Sequence, residues 1–309
     1  MKAMRIHRFG GPEVLQLDEI DIAEPGPGEV RVRVAAASLN PVDYKMRQGG
    51  YARLPASALP VTLGRDLCGV VEAIGPNVSH VVPGEPVFAH LGWDRGAYAE
   101  QAILRVGEFA PKPETLTVID AGSLPLAAMT AWQGLFDHGG LKAGERVLIH
   151  GASGGVGYLA VQFAKLHGAE VIATGSAANL DWIRSLGADQ VIDYKAQAFE
   201  DEVRDIDLVY DLIGGDTRTR SWGVLKPHGR LVTTVSKEPV EEQAARHGKT
   251  GLLYFAHPDA EQLRTVAAMA DDGRLQVMVD RTFPLEEAAA AHAYLQEGHP
   301  RGKIVLEVR

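Results

Sequence analysis

Cysteine is almost absent from these 309 residues: Cys68 is the only one. A lone thiol excludes an intrachain disulfide and a thiolate-rich metal site. Positive charge is also scarce. Lys and Arg number 31 against 40 Asp and Glu, a formal net charge of −9. Such a surface repels phosphate backbones and anionic lipid, which argues against nucleic acid or a membrane as partner. No apolar run approaches the roughly 20 residues of a membrane helix. The start, Met1-Lys2-Ala3-Met4-Arg5, has no signal-peptide core. The expectation is a cytoplasmic protein. Internal repeats and low-complexity stretches are absent as well. What is present is an ordinary globular composition, 46% hydrophobic and 23% charged, with length for about two domains. Glycine is in excess at 34 residues, about 11% against a usual ~7%. That signals tight turns or close backbone approach to a ligand.

The first hundred residues read as β-strands and turns. Val30-Arg31-Val32-Arg33-Val34 alternates strictly after the turn cluster Pro25-Gly26-Pro27-Gly28. Cys68 to Ile74 and Val87-Phe88-Ala89 are further strands, so a compact antiparallel or barrel-like domain is expected. The pattern changes near residue 117. Strands are expected at Arg146–His150, Glu170–Thr174, Gln190–Asp193, Asp207–Asp211 and Arg230–Val235. Between them lie helices, one with Val156, Leu159, Ala160, Phe163 and Ala164 on one face and one over Leu180–Leu186. Alternating strands and helices mean βαβ units and a parallel sheet. A helix over Ala260–Ala270 and a strand over Ile304–Val308 follow, and this tail is expected to return to the first domain.

The sharpest motif is Gly151-Ala152-Ser153-Gly154-Gly155-Val156-Gly157, at the end of one strand and the start of a helix. There glycines let the backbone approach a pyrophosphate, and the helix N-terminus supplies free N–H groups and a positive dipole end. Ser153, Gly154, Gly155, Val156 and Gly157 are the candidate phosphate-binding residues. The same run fits a G-x-S-x-G nucleophile elbow, and Asp211 and His257 complete the chain order of a hydrolase triad. β-rich sequence before the motif and its extra glycines favour the dinucleotide. At the end of the second strand, where an NAD site carries an acid, stands Thr174-Gly175-Ser176-Ala177. A carboxylate would repel a 2′-phosphate and this turn admits one, so NADP(H) is the expected cofactor. Thr174 and Ser176 are candidate contacts, with Tyr194 as a hydroxyl donor and Arg184 or Lys195 as supporting cations.

Several ordered motifs together resemble the zinc-free quinone oxidoreductase branch of the medium-chain dehydrogenase/reductase superfamily, over essentially the whole chain. They are residues 37–49 (ASLNPVDYKMRQG), 64–75 (GRDLCGVVEAIG), 96–100 (GAYAE), 126–132 (LAAMTAW), the glycine turn, and 302–305 (GKIV). The resemblance implies an α/β chain. A GroES-like β-rich catalytic domain would take residues 1–116 and 260–309, and a Rossmann NADP-binding domain with a doubly wound parallel sheet residues 117–259, the active site lying in the cleft between them. By position, Asn40 stands where zinc-dependent relatives have a catalytic cysteine and Arg65 where they have a histidine ligand. The cysteine-rich lobe for structural zinc is missing between Val87 and Gly96. His7, His80, His90 and His138 are scattered and form no zinc spacing, so no metal is expected.

Without zinc, a quinone or an enone still accepts hydride, because the charge spreads onto an oxygen. The resemblance makes Asn40 the active-site asparagine, with a turn-forming role before Pro41 as the alternative. Asp43 reads as a local helix cap. Tyr44 and Tyr51 are candidate donors to the developing oxyanion, and Tyr51 also matches a cofactor-contacting tyrosine. Thr130, Val235, Ser236 and Phe255 match cofactor contacts, with helix-interior or core packing as the alternative for Thr130 and Phe255. Relatives preferring NADPH often carry a lysine just after the second strand, where this chain has Ser176-Ala177-Ala178-Asn179. Arg65 replaces the more usual Tyr or Ser beside Asp66. The expected activity is NADPH-dependent reduction of a small-molecule quinone or α,β-unsaturated carbonyl by a homodimer. The competing expectations are an NADPH-binding structural or sensor protein, and a serine hydrolase using Ser153.

Overall fold

The alternating run at Val30–Val34 forms the spine of the N-terminal half. The computed structural model describes residues 1–51, 54–235, 239–298 and 300–309. The chain divides into two units, Met1–Met129 with His257–Arg309, and Thr130–Ala256.

The first stretch carries β1 (Lys2–Ile6), β2 (Leu15–Glu19), β3 (Glu29–Ser38), β4 (Val61–Thr62), β5 (Asp66–Ile74), β6 (Pro86–His90), β7 (Gln101–Arg105) and β8 (Phe109–Pro111). Its helices are α1 (Pro41–Arg47), α2 (Val118–Ser123) and α3 (Pro125–Trp132). The second stretch carries β9 (Arg146–His150), β10 (Glu170–Gly175), β11 (Gln190–Asp193), β12 (Ile206–Asp211), β13 (Leu225–Thr233) and β14 (Thr250–Leu253). With them come α4 (Gly157–Leu166), α5 (Leu180–Ser185), α6 (Phe199–Glu202), α7 (Gly215–Ser221) and α8 (Val240–Arg246). The tail adds α9 (Ala260–Asp271), β15 (Val279–Pro284), α10 (Ala288–Glu297) and β16 (Lys303–Glu307).

In the first unit, β3 pairs along one edge with β5 and along the other with β7 and then β16. A seven-stranded sheet results, with a three-stranded sheet of order β2-β1-β4 beside it. The inward residues of β3 (Val30, Val32, Val34) join Leu67, Val71, Ile304 and Leu306 in one apolar core. Each such side chain contributes about 1.5–3 kcal/mol on burial. The tail returns as expected, because β16 lies antiparallel to β3 with Val305 opposite Ser38. Residues 257–259 were expected in the nucleotide domain and instead group with this unit, as do residues 117–129. For residues 117–129 the cause is close packing: a Cβ on Gly122 of α2 would lie 2.9 Å from Ala36 Cβ of β3. Leu126 N–H also bonds Asp66 Oδ1 at 2.5 Å.

The second unit is a parallel sheet of order β11-β10-β9-β12-β13-β14. Numbered from β9, that is 3-2-1-4-5-6, the doubly wound order whose switch point lies between β9 and β12. Its central strands are apolar throughout (Val147, Leu148, Ile149; Val171, Ile172, Ala173), as burial on both faces requires. The strand expected over Arg230–Val235 starts earlier, at Leu225, and ends at Thr233. Thr233 Oγ1 accepts the Val235 N–H at 3.0 Å and turns the chain out of the ladder.

Candidate active site

Strand β9 delivers the glycine turn. Its last residue, His150, is buried, and its ring lies 3.1 Å from Thr174 Oγ1 and 3.0 Å from Ser221 Oγ. The imidazole thus ties β9, β10 and α7 together at the base of the turn. Burial lowers its pKa to about 4 and keeps it neutral. Thr174, expected at the cofactor, has its hydroxyl on this histidine inside the unit and is 4% exposed.

The glycines of the turn have separate causes. Gly151 takes a left-handed φ of +77°, which disfavours any side chain. At Gly157 a Cβ would lie 2.2 Å from the Gly151 carbonyl oxygen and 2.7 Å from Ala152 Cα, so only glycine lets α4 start this close to the strand end. At Gly154 a Cβ would meet only the Gly151 oxygen, at 3.5 Å. Packing within the protein gives no reason for glycine at 154, whereas a ligand approaching the backbone does. Ser153, Gly154, Gly155 and Val156 are half-buried beside the first turn of the ten-residue helix α4. This is the place where helix N–H groups and the dipole favour a pyrophosphate, and these residues fit one.

The neighbouring strand ends face the same way. Beyond β10, Ser176 opens a tight turn: its carbonyl takes the Asn179 N–H at 2.8 Å and its Oγ the Asn179 Nδ2 at 3.2 Å. Tyr194, just past β11, donates its N–H to the Gly175 carbonyl at 3.2 Å and leaves its side chain 53% exposed. Lys195 Nζ lies 5.9 Å from that ring. Asp193 has its Oδ1 on the Lys195 N–H at 3.0 Å. Arg184 is paired with Asp181 at 2.7 Å on the exposed face of α5. Past β12, Asp211 Oδ1 accepts the N–H groups of Ile213 and Gly214 at 3.0 and 2.8 Å, and Oδ2 accepts the Thr233 hydroxyl at 3.1 Å. That carboxylate shapes the two loops carrying Ile213 and Val235, and its hydrogen bonds among the described residues go to Ile213, Gly214 and Thr233, not to a histidine as a triad acid's would. Val235 is half-buried with its carbonyl on Arg218 Nη1 at 2.8 Å. Phe255 follows β14 and is 47% exposed. Thr130 is 7% exposed, and its carbonyl accepts the Tyr210 hydroxyl at 2.9 Å and the Tyr254 hydroxyl. Ser236 lies outside the described residues.

In the first unit, Asn40 caps α1. Its N–H donates to Asp43 Oδ2 at 2.8 Å, the local capping contact expected of Asp43, while Asp43 N–H donates to the Asn40 backbone carbonyl at 2.9 Å. Asp43 Oδ2 also accepts the Tyr98 hydroxyl at 3.0 Å. Burial lifts the Asp43 carboxyl to about 6, against the opposing pull of Arg65. The Asn40 side chain, 4% exposed, donates through Nδ2 to Asp66 Oδ2 at 2.8 Å and accepts Lys303 Nζ on Oδ1 at 2.5 Å. Tyr44 is half-buried on α1. Tyr51 stacks on Trp93 at 4.9 Å, and the Arg65 guanidinium lies 5.3 Å from the Trp93 ring. Arg65 donates to the carbonyls of Gly64 (3.2 Å), Gly92 (2.6 Å) and Arg95. It therefore braces the loop at 92–95. A cavity of about 600 Å³ opens beside this stack, with Met46, Leu54 and Ile103 on its walls; Asn40 is not among them.

The first unit is thus built from both chain ends, and the second is a doubly wound sheet whose glycine turn fits a pyrophosphate. The alcohol dehydrogenase GroES-like domain matches residues 26–114 and the zinc-binding dehydrogenase domain residues 186–306. The human mitochondrial NAD(P)H oxidoreductase RTN4IP1 is 33% identical over 100% of this chain and 89% of its own. Among solved structures, the quinone oxidoreductase from Coxiella burnetii superposes with a TM-score of 0.93 at 36% identity, over 100% of this chain and 99% of that one. The Escherichia coli quinone oxidoreductase complexed with NADPH gives 0.89 at 27% identity, over 99% and 100%. This chain belongs to the quinone oxidoreductase branch of the medium-chain dehydrogenase/reductase superfamily. It is an NAD(P)H-dependent oxidoreductase acting on a small molecule. One matched domain is described by zinc. Among the described residues, no group of three His, Cys, Asp or Glu side chains is placed to hold a metal ion. At the positions that the resemblance aligns with zinc ligands stand the Asn40 amide and the Arg65 guanidinium, and Asp66 already carries Ser38, Asn40 and Leu126. That donor set does not fit zinc. No helix among the described residues is long and apolar enough to cross a membrane.

Lys303 and Asp66 entered the sequence reading only as parts of motifs, and His150 not as a site residue at all. Lys303 and Asp66 each open a strand that runs straight into the core. His150 closes one that is otherwise buried and apolar. A charged or polar residue at such a junction is the signal that could have found them.

Proposed function

We propose that the protein reduces quinones or α,β-unsaturated carbonyls with NADPH, without zinc. The observation that carries the cofactor preference is the end of β10. Gly175-Ser176 stands there in place of a carboxylate, with the Tyr194 hydroxyl and Lys195 ammonium at the adjacent strand end. A 2′-phosphate would find a hydroxyl, a phenol and a cation there.

The bound nicotinamide would supply the hydride. The chain's own residues do the rest. Ser153, Gly154, Gly155 and Val156 hold the pyrophosphate, with Gly157 setting the approach of α4. The exposed faces of Phe255 and Ile213 offer apolar surface beyond the strand ends. Asn40 supplies an amide hydrogen to the oxygen on which charge collects as hydride arrives. A preorganised amide does this where the acceptor spreads its charge, which is the chemical reason to favour quinones and enones over simple ketones. β14 is an outer strand of its sheet, and an open strand edge of this kind suits pairing with a second copy as a homodimer.

NADPH oxidation measured across quinones, enones, simple ketones and aldehydes tests the reading. Turnover is expected with the first two classes and not with the last two. Asn40→Ala should lower kcat by about 100-fold with NADPH affinity unchanged. Turnover of simple ketones, or an unchanged kcat in Asn40→Ala, would contradict it.

A further inference from the structure

A side-chain amide serves as a directed donor only if it cannot turn over, since its two ends differ only in O and NH2. The Asn40 amide stands between buried charges of opposite sign. Its Oδ1 accepts from Lys303 Nζ at 2.5 Å, and its Nδ2 donates to Asp66 Oδ2 at 2.8 Å. The ammonium has three hydrogens and three acceptors around it: Asn40 Oδ1, the Leu39 carbonyl at 2.9 Å and Asp66 Oδ2 at 3.5 Å. Asp66 is completed by the Ser38 hydroxyl on Oδ2 and the Leu126 N–H on Oδ1, both at 2.5 Å. Lys303 is 4% and Asp66 0% exposed, so both work through other residues. A flipped amide would set NH2 against an ammonium and a carbonyl against a carboxylate, two repulsions in a weakly screening interior. One orientation survives, with one Asn40 amide hydrogen left over among the described residues. A cation on the carbonyl oxygen also draws density from the amide nitrogen and strengthens that remaining donor.

We propose that Lys303 and Asp66 are positioning residues: their buried ion pair locks the Asn40 amide in one orientation and polarises it, so that its free hydrogen faces the acceptor oxygen preorganised. This rests on the reading of Asn40 as the oxyanion donor. Burial lowers the Lys303 pKa while Asp66 and Asp43 oppose the shift and favour its charge.

The test uses the full chain with Asn40→Ala, Lys303→Met, and the paired change Lys303→Met with Asp66→Asn. The readouts are thermal midpoint, NADPH dissociation constant, and kcat and KM for 1,4-naphthoquinone. Lys303→Met should lose midpoint, because Asp66 stays buried without its counter-charge. The paired change removes both charges and should recover most of that midpoint. Its kcat should stay at least about tenfold below wild type, with NADPH affinity unchanged. A kcat that recovers along with the midpoint would mean a merely structural ion pair and overturn the proposal. If Asn40→Ala also loses kcat in that case, the donor reading survives alone; if Asn40→Ala is neutral, both fall. In the wild-type protein the Asn40 side-chain amide, assigned by its loss in Asn40→Ala, should show one hydrogen protected from solvent exchange by its bond to Asp66. Both hydrogens exchanging as fast as those of an exposed amide would overturn the lock.

Discussion

On the proposed reading, the choice between two cofactors at Ser176 comes down to one charge. A carboxylate within about 4 Å of a phosphate costs about 1 kcal/mol in water and about 4 kcal/mol near a protein surface. Ser176→Asp should therefore weaken NADPH binding at least about tenfold, a change of about 1.4 kcal/mol, and leave NADH within about twofold of wild type. Parallel fluorescence titrations read this directly; equal losses for both cofactors would mean that no phosphate sits there. The buried ion pair has the same character. Removing Lys303 alone leaves a stranded carboxylate, which typically costs about 3–5 kcal/mol, and urea denaturation of Lys303→Met measures it. The turn at Ser176 was legible in the sequence because Gly-Ser after a strand run marks where the strand ends. The Lys303–Asn40–Asp66 contact was not, since the three lie in segments far apart in the chain, and no local pattern tells which buried charges will meet.

The strand-to-helix element at 151–157 separates structural from functional glycine. Gly157→Ala forces a methyl to 2.2 Å from the Gly151 oxygen, so α4 must shift, at a cost of about 1–3 kcal/mol. It should lower both stability and NADPH binding. Gly154→Ala adds a methyl that meets the protein only at 3.5 Å. It should keep the wild-type thermal midpoint yet weaken NADPH at least about tenfold. A Gly154→Ala protein with wild-type affinity would place the pyrophosphate elsewhere. These elements were readable because period and punctuation agree: apolar runs for β9 and β10, strict alternation for β3, a helical stripe for α4. The end of β13 was misplaced because Arg230 to Val235 is continuous in β-propensity. A side-chain bond from Thr233, invisible to propensity, decides where the ladder stops.

For the whole molecule, buried titratable groups set the response to acid. Burial holds His90 and His292 neutral, lowering each from 6.5 to about 3. Above 6.5 neither the folded nor the unfolded chain binds these protons. Below it only the unfolded chain does, so each histidine removes about 1.4 kcal/mol of stability per pH unit down to about 3. His150 acts in the same direction. Asp43, raised from 3.8 to about 6, opposes them: folding gains as its carboxyl takes up a proton between about 6 and 4, by at most about 3 kcal/mol. Between about pH 6.5 and 4 the two histidines of the first unit alone outweigh it, at about 7 kcal/mol. Urea midpoints should fall steadily over that range, and a flat profile would contradict the burial of these rings. The division into a β-rich unit and a nucleotide-binding unit was legible from the change of pattern near residue 117. That residues 117–129 group with the first unit was not, because packing of α2 on β3 places them, and packing partners are not written locally. On the proposed reading, an NADPH site on the 130–256 unit serves the hydride transfer. Its most direct test is a side-by-side titration of the pure protein with NADPH and NADH at one fixed salt, following nicotinamide fluorescence. Tight NADPH binding with NADH at least about tenfold weaker is expected. Equal affinity for the two would contradict the reading of Gly175-Ser176, and binding of neither would contradict the account as a whole.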